Sequence, residues 1–419
     1  MIDAESHPDR RAERKSLAYS ETQAINAAFL RSGPAISRRR AKYDVYSSRS
    51  GGNLHRNSAF TPQFGPSFPN EKESAMKILC LWHATDDELS VIKHALPSDT
   101  DVVAPKGEYF SRFEASYEDL AADAVDADAF IGWGIPAGIL EIAERLKVYA
   151  HMGSGVDDLN LPLIKQRGVR LANSRGANAI ALAEHAMMFI LSLAKKTVPR
   201  HEVTSQQGRG SFFPLWEPDT RASMLNGRTL GVIGVGKIGS LIAKYAKGFD
   251  MHVLGVRRNK TRAVEHVDSM HSLDELHHVL PQCDYVVLTV PATRETVGLF
   301  GESALAAMKP SAFLINVARM DLVREKPLYD ALTSGRLRGY AADIWWRYDM
   351  GQSQPVSFGS RLAVHQLPNV LCSDNDAHNA DDVLETSIQF GTRILVEFAE
   401  GKPLTTEVDL HLGYGPDVQ

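Results

Sequence analysis

The chain has 419 residues, 44% of them hydrophobic and 23% charged, with a formal net charge of -5. That length and balance suit a globular protein of two domains plus a tail, and the acidic excess excludes a bulk electrostatic case for nucleic acid or an anionic membrane. The three cysteines, Cys80, Cys283 and Cys372, are scattered through apolar runs, which points to a reducing, cytoplasmic location and to neither a disulfide framework nor a metal cluster.

Residues 1–75 are rich in Arg, Ser, Asn and Pro and carry the run Arg38-Arg39-Arg40. Their composition favours a disordered extension. Asp3, Glu5, Asp9, Glu13 and Glu21 count against a transit peptide, which is poor in acids. The first strand pattern begins directly at Met76, which makes Met76 an alternative start.

From there, apolar runs at 77–82, 101–104, 129–131, 147–150 and 169–172 read as strands. Helix-like segments at 86–96, 117–124, 137–146 and 161–166 lie between them. This alternation predicts a parallel sheet covered on both faces. The apolar stretch 177–194 contains Glu184 and His185, so a buried helix over 180–196 explains it better than a bilayer does. A long irregular segment, 206–226, carries Gly208, Gly210, Pro214 and Pro218. A second alternating set follows, with strands at 229–233, 252–256, 285–290, 312–317, 340–345 and 370–373. Its helices are predicted at 237–248, 272–280, 302–308 and 326–335. A final helix, 382–399, returns to pack on the first domain. The fold class is α/β, with two doubly wound parallel-sheet domains.

The first strand of the second set runs straight into Gly234-Val235-Gly236-Lys237-Ile238-Gly239. A lone GxGxxG is weak, but strand, glycine turn and helix start together form a dinucleotide-binding fingerprint. Gly234 permits the turn, Gly236 lets the backbone approach a pyrophosphate, and Gly239 lets helix and strand pack closely. The phosphates then meet the positive end of the helix. After the second strand comes Arg257-Arg258, and no Asp or Glu occurs between Val253 and Glu265. A carboxylate there would bind both ribose hydroxyls of NAD, whereas a guanidinium fork suits the 2′-phosphate of NADP. The expected cofactor is NADP(H), with NAD(H) as the alternative.

Several further motifs occur in order: His151-Met-Gly-Ser-Gly-Val-Asp157, Asn173-Ser-Arg-Gly-Ala-Asn178, Ala183-Glu-His185, Pro291-Ala-Thr-Arg-Glu-Thr296, Asn316-Val-Ala-Arg319 and Ala342-Asp-Ile344. With the fingerprint, they resemble the D-isomer-specific 2-hydroxyacid dehydrogenases over nearly all of 76–409. The resemblance implies a flavodoxin-like substrate domain, 76–180 and 374–419, split by an inserted Rossmann domain, 181–373, and homodimers made through that cofactor domain. It implies that Arg319 clamps a substrate carboxylate and polarises the keto oxygen, and that the Ser154-Gly155 backbone forms a second cradle. Val290, Pro291, Thr296, Val317 and Asp343 are expected to line the cofactor, with Asp343 at the nicotinamide carboxamide. The implied reaction is hydride transfer between NADP(H) and a small 2-keto or (R)-2-hydroxy acid.

Two departures fall on the proton relay. The resemblance places a Pro-His pair on Asp374-Asn375, and its partner Glu on Tyr348. Asparagine exchanges no proton near neutrality. His378, three residues on, is the candidate proton donor, histidine having an unperturbed pKa of about 6.5. Asp374, Asp376 and Asp349 are the acids at hand, and spacing does not choose among them. Met320 follows Arg319 where the family usually has Gly. Trp345 and Trp346 are read as bordering the pocket or as core. The alternative function is a non-catalytic or weakly active NAD(P)-binding sensor on the same scaffold.

Overall fold

The computed structural model describes residues 75–109, 111–207, 217, 220–346 and 360–411. The N-terminal extension up to residue 74, most of the glycine-rich stretch 208–219, and Tyr348 and Asp349 lie outside them.

The first sheet is five-stranded and wholly parallel, in the order β2-β1-β3-β4-β5. Its strands are β1 (Lys77–Cys80), β2 (Asp101–Val103), β3 (Ala129–Gly132), β4 (Val148–His151) and β5 (Arg170–Asn173). That is the flavodoxin order. β3 and β4 are buried at every position, as expected of strands covered on both faces. The connecting helices are α1 (Asp86–Ala95), α2 (Tyr117–Ala124), α3 (Ile139–Ile142) and α4 (Leu161–Gln166). α1 and α2 both start with capping boxes, Thr85 with Glu88 and Ser116 with Asp119. The predicted helix 137–146 contracts to the single turn of α3.

Two helices then follow, α5 (Ala179–Lys195) and α6 (Thr197–Gln207). α6 extends beyond the helix expected at 180–196; its Pro199 sits in the first turn, where a missing N–H costs nothing.

The second sheet has seven parallel strands, β12-β11-β10-β9-β6-β7-β8. These are β6 (Thr229–Ile233), β7 (His252–Val256), β8 (Ser269–His271), β9 (Tyr285–Leu288), β10 (Phe313–Asn316), β11 (Gly339–Ala342) and β12 (Val370–Cys372). The fingerprint strand β6 lies centrally, between β7 and β9, which is the dinucleotide-domain order with one further strand at the β12 edge. The sequence reading missed β8, which is three residues long and only half-buried, so its hydrophobic pattern is weak. Its helices are α7 (Lys237–Lys247), α8 (Leu276–Val279), α9 (Glu302–Ala307) and α10 (Glu325–Thr333). The predicted helix 272–280 is interrupted, with 3₁₀ turns at Leu273–Glu275 and Leu280–Gln282 flanking α8; Pro281 cannot continue an α-helix.

α11 (Val383–Ala399) returns to the first sheet, packing on β3, β4 and α1. Each sheet therefore carries a buried apolar layer on both faces. Trp345 and Trp346 belong to one of these layers. They are 4% and 7% exposed, and their Nε1 groups donate to the carbonyls of Ser373 (2.8 Å) and Val323 (3.0 Å). Both are core residues rather than pocket walls. No helix among the described residues is long and apolar enough to cross a membrane.

Candidate functional site

The sequence-predicted cofactor and substrate groups among the described residues lie at or beyond the carboxyl ends of the strands, where open parallel sheets place ligands. The glycine turn follows β6. Gly234 has φ +108°, and a Cβ there would lie 2.7 Å from the backbone of Thr289 and Val290. At Gly239 a Cβ would strike the Gly234 carbonyl oxygen. Gly236 differs, because nothing lies within 4 Å of where its Cβ would be. The space over Gly236 is thus open at the start of α7, whose first N–H groups have no side-chain cap. A diphosphate fits that space and charge.

Lys237 leaves this helix start and donates to the Arg175 carbonyl at 2.8 Å, with its Nζ 5.7 Å from the centre of the Phe390 ring. Burial, then Arg175 and Arg393, push its pKa down. Three cationic groups therefore converge beside the turn. Val235 is 4% exposed and packs into the core, so only its backbone faces the turn, and Ile238 packs against the same core. Val290 and Val317 are 8% and 3% exposed. Thr296 is engaged with its own loop, donating to the Pro291 carbonyl at 2.6 Å and accepting from Thr293 N–H at 2.8 Å. Among the described residues, no group of His, Cys, Asp and Glu is arranged to hold a metal.

Beyond β7, Arg257 is half-buried, and Arg258 is exposed and ion-paired with Glu295 at 3.2 Å. A carboxylate thus does approach this end of the strand, but from the loop after β9. The pair is at least half exposed on both sides.

Arg319 follows β10 and reaches across to the first sheet. Its Nε is 2.9 Å from both carboxylate oxygens of Asp157, and its Nη1 donates to the Ala318 carbonyl at 2.8 Å. Its Nη2 lies over the Cα of Gly155, so close that any Cβ there would collide with it. Asn316 holds the turn, taking Ala318 N–H (3.0 Å) and donating to the Arg319 carbonyl (2.9 Å). The structure therefore brings Arg319 together with Ser154-Gly155. Sequence reasoning missed Asp157, although it lies in the motif His151–Asp157, because nothing local pairs it with an arginine 162 positions away.

Asp343, at the end of β11, is 3% exposed. Its Oδ1 accepts from Ser373 Oγ at 2.5 Å and from the N–H of Asp376 at 2.9 Å. Ala377 N–H lies 3.3 Å from both carboxylate oxygens. His185 Nε2 is 2.9 Å from Ser373 Oγ. Asp343 thus caps the loop after β12. Asn375 is in the left-handed region, φ +54°, with its N–H donating to the Asp343 carbonyl at 2.6 Å. Its side chain and that of His378 are exposed. Neither side chain has a hydrogen-bond partner among the described residues.

Residues 187–374 match the family described as D-isomer specific 2-hydroxyacid dehydrogenase, NAD binding domain. A hydroxypyruvate reductase of Thermotoga maritima is 30% identical over 63% of this chain and 81% of its own length. The chain belongs to the D-isomer specific 2-hydroxyacid dehydrogenase family. A solved family member from Aeromonas salmonicida is 26% identical, matching 80% of this chain and 100% of that one with a TM-score of 0.66. A D-3-phosphoglycerate dehydrogenase of Methanocaldococcus jannaschii is 31% identical over 54% of this chain, but the match spans only 43% of that relative. Membership supplies the scaffold common to these proteins. In the loop Ser373–His378, Asn375 stands at the position the resemblance assigns to histidine.

Proposed function

We propose that this chain is an NADP(H)-dependent oxidoreductase moving a hydride between the cofactor and a small 2-keto or (R)-2-hydroxy acid. The observation that carries this reading is Arg319, planted over Gly155 at the join of the two sheets. A guanidinium has five N–H donors. Asp157 occupies Nε and Ala318 occupies one donor of Nη1. The remaining Nη1 and Nη2 donors form an edge suited to a planar carboxylate. Residues 76–180 and 374–419 act as the substrate domain, and 181–373 as the cofactor domain.

The open space over Gly236, the α7 start and Lys237 suit the cofactor's diphosphate, while Arg257 and Arg258 favour a 2′-phosphate over a bare ribose. The nicotinamide, when bound, supplies or takes the hydride. Arg319 and the Ser154-Gly155 backbone hold the carboxylate, and Arg319 polarises the keto oxygen. Asp343 fixes the loop that carries His378, and His378 donates the proton.

A homodimer through the cofactor domain fits the apolar groove between α5 and α7. It is an open groove of about 650 Å³, lined by Met187, Met188, Leu191, Tyr245 and Phe249. Met188 is 42% exposed and Phe249 39%. The scattered spacing of the three cysteines supports a reducing, cytoplasmic setting.

A second reading rests on Asn375. With no proton-exchanging side chain in that place, the scaffold serves as an NAD(P)-binding sensor without turnover. NADPH oxidation against a keto-acid panel separates the two. Turnover that drops about 100-fold in His378→Ala supports the enzyme and its donor. A parent that binds NADPH tightly but stays silent on every acid, and gains activity only as Asn375→His, supports the sensor.

A further inference from the structure

β4 ends in a buried histidine that the reaction above does not use. His151 is 3% exposed, with Nδ1 3.0 Å from the Tyr149 hydroxyl and Nε2 2.8 Å from the Gly155 carbonyl oxygen. A carbonyl only accepts, so Nε2 carries the proton. The Tyr149 hydroxyl is also 3.2 Å from the Gly132 carbonyl. Burial lowers the His151 pKa and Arg319 adds to that, while Asp158, Asp157 and the Gly155 bond oppose it. The ring is therefore the neutral Nε2–H tautomer near neutrality.

One residue earlier a second buried donor acts in the same way. Asn173, also 3% exposed, donates its side-chain amide to the Ser154 carbonyl at 2.6 Å. In a trans peptide the C=O and the following N–H point in opposite directions. Drawing the carbonyls of Ser154 and Gly155 towards Asn173 and His151 turns the N–H groups of Gly155 and Val156 the other way. No acceptor among the described residues takes either N–H. Successive free N–H groups of this kind make a concavity for an anion. Arg319 Nη2 stands over the same glycine. The packing leaves no slack, since a Cβ on Gly153 would lie 2.5 Å from His151 Nε2.

We propose that His151 and Asn173 are positioning residues of the substrate site: their donors pin the Gly155 and Ser154 carbonyls, which aims the N–H groups of Val156 and Gly155 at the substrate carboxylate. This rests on the reading of Arg319 as a carboxylate clamp. Glutamine can donate to the Gly155 carbonyl in place of histidine, whereas leucine cannot.

The test is binding of oxamate, a carboxylate that cannot be reduced, to the full chain saturated with cofactor, together with KM and kcat for a keto acid that turns over. His151→Leu is expected to weaken oxamate and raise KM about tenfold, the effect of one buried hydrogen bond, with kcat and cofactor Kd nearly unchanged. His151→Gln is expected to stay within about threefold of the parent on the same scale. If His151→Leu does not fold, as judged by cofactor binding, Asn173→Ala carries the same expectation. Unchanged oxamate affinity in the folded variants, beside a parent that binds oxamate, overturns this inference alone. A parent that binds no oxamate and reduces no keto acid overturns the carboxylate reading and this inference with it.

Discussion

Arg319 and Asp157 tie the carboxyl ends of the two sheets together, the arginine Nε standing 2.9 Å from both oxygens of the aspartate. The ion pair is 30% exposed on one side and 44% on the other, so its worth to stability is below about 1 kcal/mol. Its consequence is orientation. With Nε engaged, the guanidinium presents its terminal edge, so on the proposed reading a substrate carboxylate does not have to displace Asp157.

Arg319→Lys keeps the charge but loses the planar fork. We expect kcat/KM for the keto acid to fall roughly 10- to 150-fold, the equivalent of one charge-assisted contact. Asp157→Ala loosens the rotamer only, and KM should rise about two- to fivefold with the melting temperature nearly unchanged. A fall in KM for Asp157→Ala would mean that Asp157 competes with substrate instead.

The Arg258–Glu295 pair sets a prediction for the cofactor. Both side chains are at least half exposed, so the pair is weak and a dianionic phosphate can replace the carboxylate. Arg258→Ala should weaken NADPH roughly tenfold and leave NADH within about twofold, while Glu295→Gln should tighten NADPH. Equal losses for both cofactors in Arg258→Ala, read by titration of intrinsic fluorescence, would remove the 2′-phosphate assignment.

Two glycines of the fingerprint should fail in different ways. A Cβ at Gly239 meets the Gly234 carbonyl, whereas one at Gly236 meets open space. Gly239→Ala is expected to cost about 1–3 kcal/mol of stability through overpacking, seen in a melt without cofactor. Gly236→Val should melt like the parent without cofactor yet lose cofactor-induced stabilisation. A normal NADPH shift in the Gly236 variant would show that the diphosphate does not lie over that residue.

Asp128 provides a pH test of stability. Its side chain is 4% exposed, accepts Lys77 N–H at 3.0 Å, and pairs with Arg145 at 2.8 Å. Burial alone would raise its pKa, but the Lys77 N–H, Arg145 and Lys147 outweigh it and hold the carboxyl below its ordinary value. A depressed carboxylate stabilises the fold fully above its unfolded pKa of about 3.9 and loses that contribution as pH falls through the folded value. Asp128→Asn should therefore destabilise by about 1–3 kcal/mol at pH 7, with the difference shrinking as the pH approaches 3. A pH-independent gap between the two melts would contradict this.

Most of the fold was legible in residue patterns. Parallel strands buried on both faces write near-continuous apolar runs, so β1, β6 and β10 were found within a residue or two of their ends. The elements that escaped lack such a signal: β8 is half-buried, and α6 carries little apolar surface. The site divided in the same way. Gly234, Gly236 and Gly239 act through their own backbone, which a motif can report. Val235 and Thr296 face the core and their own loop, respectively, and a motif does not show which way a side chain turns.

By itself the sequence determined the two alternating sets of strands, the glycine turn, the arginines after β7 and the asparagine at position 375. Each depends on residue type at a short spacing. Only the tertiary structure decided that Asp157 would hold Arg319, that Asp343 would cap the loop of Asn375 and His378, and that His151 and Asn173 would turn two carbonyls inward. Those contacts join residues far apart in the chain or depend on peptide orientation. Strand order and close packing create them, and no local pattern encodes either.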